Sequence, residues 1–595
     1  SGKRVVIGYD SRFHADLVAQ WVAEGCVANG FAVDLAYRDT PTPVLVYYLT
    51  DYLCEDEVAG LINCTASHNP PEWQGIKFNP RSGYPAPTGV TNAIATRINE
   101  LQLMGVHARE ADIVEAEAEG TVRGFDPIDA YSEWILNSGV GNRRIPVDWE
   151  RIRRYFADRL VVEDCMYGAG RGYLTGLLGK IGVRHTSIHA GRDPHLSGLD
   201  YAKPEEPFII PLEEKVKASG AALGIGLDTD ADRYGVVDKG GVYIRPNQVM
   251  PMLINYLGVD RGLTGRVINT MPGSPLTEVL ASKIPGNREN EPEPGVLPAY
   301  VSHPFYRLIV GDCAEHAPEH TFLVPVGIKY IEEQRRTDRA YHLLKPLPKG
   351  WRDTILIGGE ESSGLTTRGH VTDKDGIWAD MLIMDMLAYY GTREKNPLTS
   401  LREIWEEMTS LDGLWVSYGD RRDTDAVLEA KEELIGYYFD SYAGDSPAEK
   451  TIAGLEVVYA GGIRYDLVEM RLRDADGDDR HYLRVRASGT EPIIRIYVES
   501  SDADVMERLA GAALAKLEEL SAAEVTKAQS EWRLAEVLSA TQVSDRVRAA
   551  VEEALAAREG WTRESLIGHL RRQYAILERR NQKTAAAWIE ALSEG

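Results

Sequence analysis

Val5-Val6-Ile7-Gly8-Tyr9-Asp10 is a β-branched run that ends in a glycine and a polar turn, and an amphipathic helix-like stretch follows it. The same rhythm returns at Leu160-Val161-Val162 and at Arg266-Val267-Ile268. Short strands alternating with helical periodicity specify α/β units with parallel or mixed sheets, because a parallel connection needs the crossover that a helix supplies. Three α/β domains are therefore expected, over residues 1–145, 146–255 and 256–400. From about residue 410 the pattern changes. Leu467-Val468-Glu469-Met470-Arg471-Leu472 and Tyr482-Leu483-Arg484-Val485 alternate in polarity around Asp474-Ala475-Asp476-Gly477-Asp478-Asp479, which predicts a hairpin in an α+β domain over 401–515. Residues 516–595 carry helical spacing, as at Leu566, Leu570, Tyr574 and Leu577, and are expected to form a helical extension. It would serve either as the surface of a homo-oligomer or as an appendage packed on the body.

At 595 residues the chain exceeds what one hydrophobic core organises, which agrees with several domains. No run of about 18 apolar residues is present that could span a bilayer, so no membrane partner is expected. The sequence enters its first strand with no charged-then-apolar leader, and a cytoplasmic location is expected. Cys26, Cys54, Cys64, Cys165 and Cys313 are odd in number and widely spaced, and they read as reduced core thiols rather than a disulfide framework or zinc site. A formal net charge of −25 argues against a nucleic-acid partner and leaves small molecules as the expected ligands.

Four motifs carry chemistry. Thr65-Ala66-Ser67-His68-Asn69-Pro70 follows the apolar Ala59-Gly60-Leu61-Ile62 and precedes Gly75 and Lys77. A serine after a buried strand, held on a loop by Asn-Pro and flanked by His68 and Lys77, is placed as a presented nucleophile; a plain strand-to-turn junction is the competing reading. Leu223-Gly224-Ile225-Gly226-Leu227 leads into Asp228-Thr229-Asp230-Ala231-Asp232-Arg233. Three carboxylates at alternate positions repel one another unless they share a cation, so metal binding is favoured. An EF-hand would need glycine and glutamate where Arg233 and Lys239 stand, whereas a haloacid-dehalogenase-type phosphatase, which also uses Asp-x-Asp after a strand, stays open. Gly358-Gly359-Glu360-Glu361-Ser362-Ser363-Gly364 offers acceptors and donors suited to vicinal hydroxyls. Arg486-Ala487-Ser488-Gly489-Thr490-Glu491-Pro492, with Arg495 beyond, combines a guanidinium, two hydroxyls and turn N–H groups into a phosphate cradle. Residues 168–173 break the glycine spacing of a dinucleotide site, and residues 474–479 read as a solvated turn.

In this order, one per expected domain, the four motifs resemble those of the α-D-phosphohexomutase family, which includes the phosphoglucomutases and phosphomannomutases, over roughly residues 1–510. The resemblance implies four domains around a central cleft. It implies a phosphoserine at Ser67, with magnesium held on its phosphate by Asp228, Asp230 and Asp232, and with His68, Lys77 and Arg233 as neighbours. It further implies Glu360 and Ser362 as sugar-hydroxyl ligands, a phosphate cradle of Arg486, Ser488, Gly489 and Thr490, and substrate contacts at Lys329 and Arg495. The implied reaction interconverts hexose 1-phosphate and hexose 6-phosphate through a hexose 1,6-bisphosphate that also acts as activator, with Lys77 and His68 moving the hydroxyl proton. Glu360-Glu361-Ser362, Val324-Pro325-Val326-Gly327-Ile328-Lys329 and Asp373-Lys374-Asp375-Gly376 look like the glucose-type members, and Leu365 stands where dual-specificity bacterial enzymes often carry His; mannose is the second hexose considered. Gln74 stands where the family usually has Asn. The family's opening Gly-x-Arg-Gly-type motif does not precede residues 8–12, so the chain is expected either to be truncated or to lack that arginine. A sugar-phosphate-binding paralogue without turnover is the non-enzymatic alternative.

Overall fold

Val5, Val6 and Ile7 are buried in the middle of a sheet covered on both faces, which is why their run shows no polar alternation. They belong to β1 (Arg4–Tyr9), which together with β2 (Ala32–Ala36), β3 (Val58–Cys64), β4 (Ile76–Pro80) and β5 (Val122–Phe125) makes a sheet of order β4-β3-β1-β2-β5. β1 pairs parallel with β2 and β3, and β3 folds back on β4 as an antiparallel hairpin. The computed structural model describes residues 3–53, 58–139, 144–284, 321–324, 326–333, 335, 355–425, 428–442, 450–463, 467–487 and 493–531, and in it this plan recurs twice. The second sheet, of order β10-β9-β8-β6-β7, contains β6 (Val161–Asp164), β7 (His185–Ile188), β8 (Leu223–Leu227), β9 (Tyr234–Asp238) and β10 (Val242–Ile244). The third, of order β12-β11-β13-β14, contains β11 (Arg266–Thr270), β12 (Thr321–Val324), β13 (Ile355–Gly359) and β14 (Leu365–Thr367). β6 and β11 repeat the role of β1, and β8–β9 and β13–β14 repeat the hairpin β3–β4. The serine, acidic and Gly-Gly-Glu-Glu loops thus close the same hairpin in three sheets, each at the carboxyl end of a parallel strand, where α/β folds place ligands.

Most of the helix Gly376–Gly391 is buried, including Ile377, Trp378, Met381, Leu382, Ile383 and Met386, as expected of a helix that has no polar stripe. Asp375 caps it by accepting from Trp378 N at 3.0 Å. Gly376 is required where the helix meets the acidic loop: a Cβ there would lie 2.4 Å from the Arg233 carbonyl oxygen.

The described residues form two compact bodies, 3–415 and 416–531. The first body ends at Trp415, not near 400, because the helix Leu401–Thr409 buries Leu401, Ile404, Trp405 and Met408 in the same core. The second body is an antiparallel sheet of order β15-β20-β19-β18-β17-β16, with β15 (Tyr418–Asp425), β16 (Thr451–Ile452), β17 (Leu455–Ile463), β18 (Leu467–Arg473), β19 (His481–Ala487) and β20 (Ile493–Ser500). Alternate residues Val468, Met470, Leu472, Leu483, Val485, Ile494, Ile496 and Val498 form its core with Leu434 and Tyr438 of the helix Leu428–Tyr442 and Leu509 and Ala513 of the helix Ala503–Glu531. That last helix runs straight through residue 515, so the expected cut there falls inside one element. The remainder of the expected extension, with Leu566, Leu570, Tyr574 and Leu577, lies outside the described residues. The turn at 474–479 joins β18 to β19 and satisfies itself, Asp474 Oδ1 accepting from the N–H groups of Asp476 and Asp478 at 3.0 and 2.8 Å. Cys26, Cys64 and Cys165 are free thiols, and Cys54 and Cys313 lie outside the described residues. Among the described residues no helix is long and apolar enough to cross a membrane.

Candidate active site

The serine loop is closed by Thr65 N donating to the Gly75 carbonyl at 2.9 Å. Inside it Ser67 has φ 54°, a left-handed conformation that costs a residue with a Cβ about 1–2 kcal/mol. Its N–H donates to Thr65 Oγ1 at 2.8 Å, and its carbonyl accepts from the Arg12 guanidinium. Ser67 Oγ lies 3.4 Å from His68 Nδ1 and 3.4 Å from Asp228 Oδ2, a carboxylate of the second sheet. Burial, followed by the charges of Arg233, Lys203, Lys374 and Lys77, pushes the His68 pKa well down and keeps the imidazole neutral.

Asp228, Asp230 and Asp232 are all buried, and one oxygen from each lies within 4.8 Å of the others. The loop backbone is anchored from two sides: Thr42 N donates to the Asp230 carbonyl at 2.9 Å and Gly376 N to the Ala231 carbonyl at 3.1 Å. Burial, then Asp232 and Asp230, push the pKa of Asp228 well above the usual carboxylate range. Burial acts the same way on Asp230, but Lys77, 2.7 Å from Oδ2, overrules it and holds that pKa below the usual range. Lys77 Nζ also reaches Asp232 Oδ2 at 3.1 Å; burial works against its ammonium, and the two carboxylates outweigh burial and keep it charged. Asp230 Oδ1 is buried and accepts no hydrogen bond among the described residues. A hard oxygen of that kind beside two further carboxylates fits a divalent cation such as magnesium, which would relieve the repulsion felt at Asp228.

In the Gly-Gly-Glu-Glu loop Glu360 N donates to the Gly364 carbonyl at 2.8 Å, and Glu361 Oε2 accepts from Thr270 Oγ1 at 2.7 Å. Ser362 is half-buried beside them. Arg233 and Gly364 form an antiparallel bridge, so the acidic and Gly-Gly-Glu-Glu loops are joined through their backbones. The first body therefore gathers Ser67, His68, Lys77, Asp228, Asp230, Asp232, Arg233, Glu360 and Ser362 on adjoining loops. Lys329 Nζ lies 5.0 Å from the centre of the Tyr330 ring. In the second body Arg486 and Arg495 stand opposite each other at the end of the β19–β20 hairpin, while Ser488, Gly489 and Thr490 lie outside the described residues. Four residues with no role assigned from the sequence belong to the site. Arg12 grips the serine loop, Thr42 Oγ1 donates to Asp230 Oδ2 at 2.7 Å, Lys374 lies 3.5 Å from Asp232 Oδ1, and Lys203 is among the cations around His68. Arg12 and Lys374 stood inside stretches already singled out, at 8–12 and 373–376; Thr42 and Lys203 carried no local signal beyond a neighbouring proline.

Family models described as phosphoglucomutase/phosphomannomutase match the chain in sequence order: α/β/α domain I over residues 1–104, domain II over 140–241, domain III over 299–408 and the C-terminal domain over 420–516. The chain belongs to the phosphoglucomutase/phosphomannomutase family. The mutase is accordingly an enzyme, of the intramolecular phosphotransferase class, and the phosphatase reading of the acidic loop is left without support. It is 24% identical over 497 residues to the phosphoglucomutase/phosphomannomutase of Thermococcus kodakarensis, covering 83% of this chain and 86% of that protein. It is 25% identical over 516 residues to a phosphoglucomutase of Komagataeibacter xylinus, covering 83% and 80%. Relatives at similar identity are named phosphoglucosamine mutase. The open form of pp63/parafusin, a phosphoglucomutase from Paramecium, shares the fold with a TM-score of 0.63 at 18% identity, over 88% of each chain.

Proposed function

We propose that the mutase interconverts hexose 1-phosphate and hexose 6-phosphate, with glucose as the preferred hexose, through a phosphoserine at Ser67 and a hexose 1,6-bisphosphate. The observation that carries this reading is the convergence of Ser67 Oγ with a three-carboxylate cluster from a different sheet, 3.4 Å away at Asp228. Phosphoryl transfer depends on in-line positioning and on neutralising spread negative charge. Magnesium would supply part of that neutralisation when bound, and Asp228, Asp230 and Asp232 with Ser67 would hold it. Lys77, Arg233, Lys203 and Lys374 add fixed positive charge around the serine loop. His68, neutral and 3.4 Å from Ser67 Oγ, takes up the hydroxyl proton, and the Lys77 ammonium gives a proton back to the departing oxygen. Glu360 and Ser362 take the sugar hydroxyls, with Lys329 as a further contact. Arg486, Ser488, Gly489, Thr490 and Arg495 hold the phosphate that is not reacting. Glucose is favoured by Glu360-Glu361-Ser362 and by the phosphoglucomutase name of several relatives. Sugar phosphates are ligands that a cytoplasmic enzyme would meet.

The test is chemical. Wild-type enzyme exposed to glucose 1,6-bisphosphate should carry phosphate on the Ser67 peptide, located by mass spectrometry. Ser67→Ala should keep its melting temperature and lose turnover by about a thousandfold or more in a coupled assay from glucose 1-phosphate. Phosphate found on Asp228, or near wild-type turnover in Ser67→Ala, would sink the reading. A panel of glucose, mannose and glucosamine phosphates compared by kcat/KM decides the hexose.

A further inference from the structure

Ser67 combines a strained backbone with complete backbone satisfaction. At φ 54° it sits outside the conformations open to most residues, yet its N–H donates to Thr65 Oγ1 at 2.8 Å and its carbonyl accepts from Arg12 Nη2. Thr65 Oγ1 donates onward to Asp10 Oδ2 at 2.6 Å, and Arg12 Nε donates to that same oxygen at 3.1 Å. The other ends of the guanidinium donate to the carbonyls of Asn69 and Pro70 at 2.6 Å each. Asp10 and Arg12 are fully buried, so no substrate phosphate reaches this arginine. Its donors are directed to one carboxylate and to three carbonyls of the loop that carries Ser67.

We propose that Asp10, Arg12 and Thr65 are positioning residues that hold Ser67 in its left-handed conformation and aim Oγ at the acidic loop, an inference that rests on Ser67 being the phosphoryl carrier. The guanidinium suits the task because its donors lie in a fixed planar fork; lysine in its place reaches fewer carbonyls and leaves others buried without a partner. Thr65 is the link between the arginine–aspartate pair and the Ser67 N–H. Without that link the serine relaxes toward ordinary φ values and Oγ leaves the position in which it meets Asp228. Contacts to sugar and to the distal phosphate are made elsewhere, so the defect falls on turnover and not on substrate affinity.

The decisive variants are Thr65→Val, an isostere without the hydroxyl, Thr65→Ser, which restores it, and Arg12→Lys. Each is assayed for kcat and KM with glucose 1-phosphate and for the rate at which Ser67 takes up phosphate from glucose 1,6-bisphosphate. Thr65→Val should lower kcat and the phosphorylation rate at least about tenfold with KM within about twofold, and Thr65→Ser should restore most of the loss. Arg12→Lys should follow Thr65→Val; if it does not fold, the isosteric pair at residue 65 still decides. Wild-type kcat in Thr65→Val, a loss confined to KM, or a loss that Thr65→Ser fails to restore would overturn the positioning role. Absence of phosphate from Ser67 in the wild type would instead overturn the phosphoserine assignment on which it rests.

Discussion

Asp230 divides one side chain between the fold and the chemistry. Oδ2 accepts from Thr42 Oγ1 and from Lys77 Nζ, both at 2.7 Å, while buried Oδ1 accepts nothing among the described residues. Asn63 Nδ2 donates to Thr42 Oγ1 at 2.8 Å, which leaves the threonine proton for Asp230. Thr42→Val lets the carboxylate turn, so magnesium affinity measured by titration calorimetry should fall about ten- to a hundredfold, the scale of a lost outer-shell hydrogen bond, with Thr42→Ser close to wild type. Unchanged affinity in Thr42→Val would mean that Lys77 alone orients the carboxylate. A second buried carboxylate supports a pH prediction. His189 Nδ1 lies 2.9 Å from Asp164 Oδ1, and this hydrogen bond, working against burial, raises the imidazole pKa. A raised folded-state value stabilises the fold fully below the unfolded pKa of about 6.5, and that contribution is lost as the pH climbs through the folded pKa. The melting-temperature gap between wild type and His189→Gln should therefore be widest near about pH 6 and narrow toward about pH 8. A gap that does not vary with pH would show that the neutral ring serves Asp164 equally well. Neither Thr42 nor the grip of Arg12 was legible in the sequence, because their partners stand 188 and 55 residues away and no periodicity marks such pairs.

Among the elements, the helix Gly376–Gly391 is where sequence reading had least to use. Apart from the buried Asp380 and Asp385 its enclosed residues are mostly apolar, and without a polar stripe the period that separates a core helix from a buried strand is missing. The strands β1, β6 and β11 were legible for the opposite reason: each is a short β-branched run bounded by turn residues, and each is flanked by parallel partners in its sheet. Trp378, in the first turn of the buried helix, is fully enclosed, with Nε1 donating to Thr367 Oγ1 at 2.8 Å. Trp378→Ala should lower the unfolding free energy by about 3–5 kcal/mol in denaturant titration, the range for deleting a buried aromatic ring. A change within about 0.5 kcal/mol, typical of surface positions, would place the ring outside the load of the core. The β19–β20 hairpin sets Arg486 against Arg495 in register, at the end where the phosphate cradle is proposed. Arg486→Lys keeps the charge and loses the fork, so kcat/KM should fall about ten- to two-hundredfold, or about 1.5–3 kcal/mol, in both reaction directions. A loss in one direction only would move the cradle elsewhere in the chain.

At the scale of the whole molecule, the order of the four motifs was readable from residues alone, while the contacts between loops of different sheets were not. One of those contacts would couple the proposed metal and sugar sites. Lys374 Nζ lies 3.5 Å from Asp232 Oδ1 and 3.3 Å from Glu360 Oε2, and Arg233 and Gly364 tie the same two loops by their backbones. A cation that neutralises Asp232 changes what the ammonium owes to Glu360, and a sugar on Glu360 changes what it owes to Asp232. In Ser67→Ala, which would bind without turning over, glucose 6-phosphate should tighten magnesium about five- to 150-fold, and Lys374→Gln should bring that factor toward one, as calorimetry would register. Equal magnesium affinity with and without the sugar would leave the two loops uncoupled. Reciprocity then requires magnesium to tighten the sugar phosphate by the same factor. The four dissociation constants form a closed cycle, so three of them determine the last. A cell whose free magnesium drops would loosen this enzyme's hold on its sugar phosphate at the same time, and the metal supply would act on flux before any protein was modified.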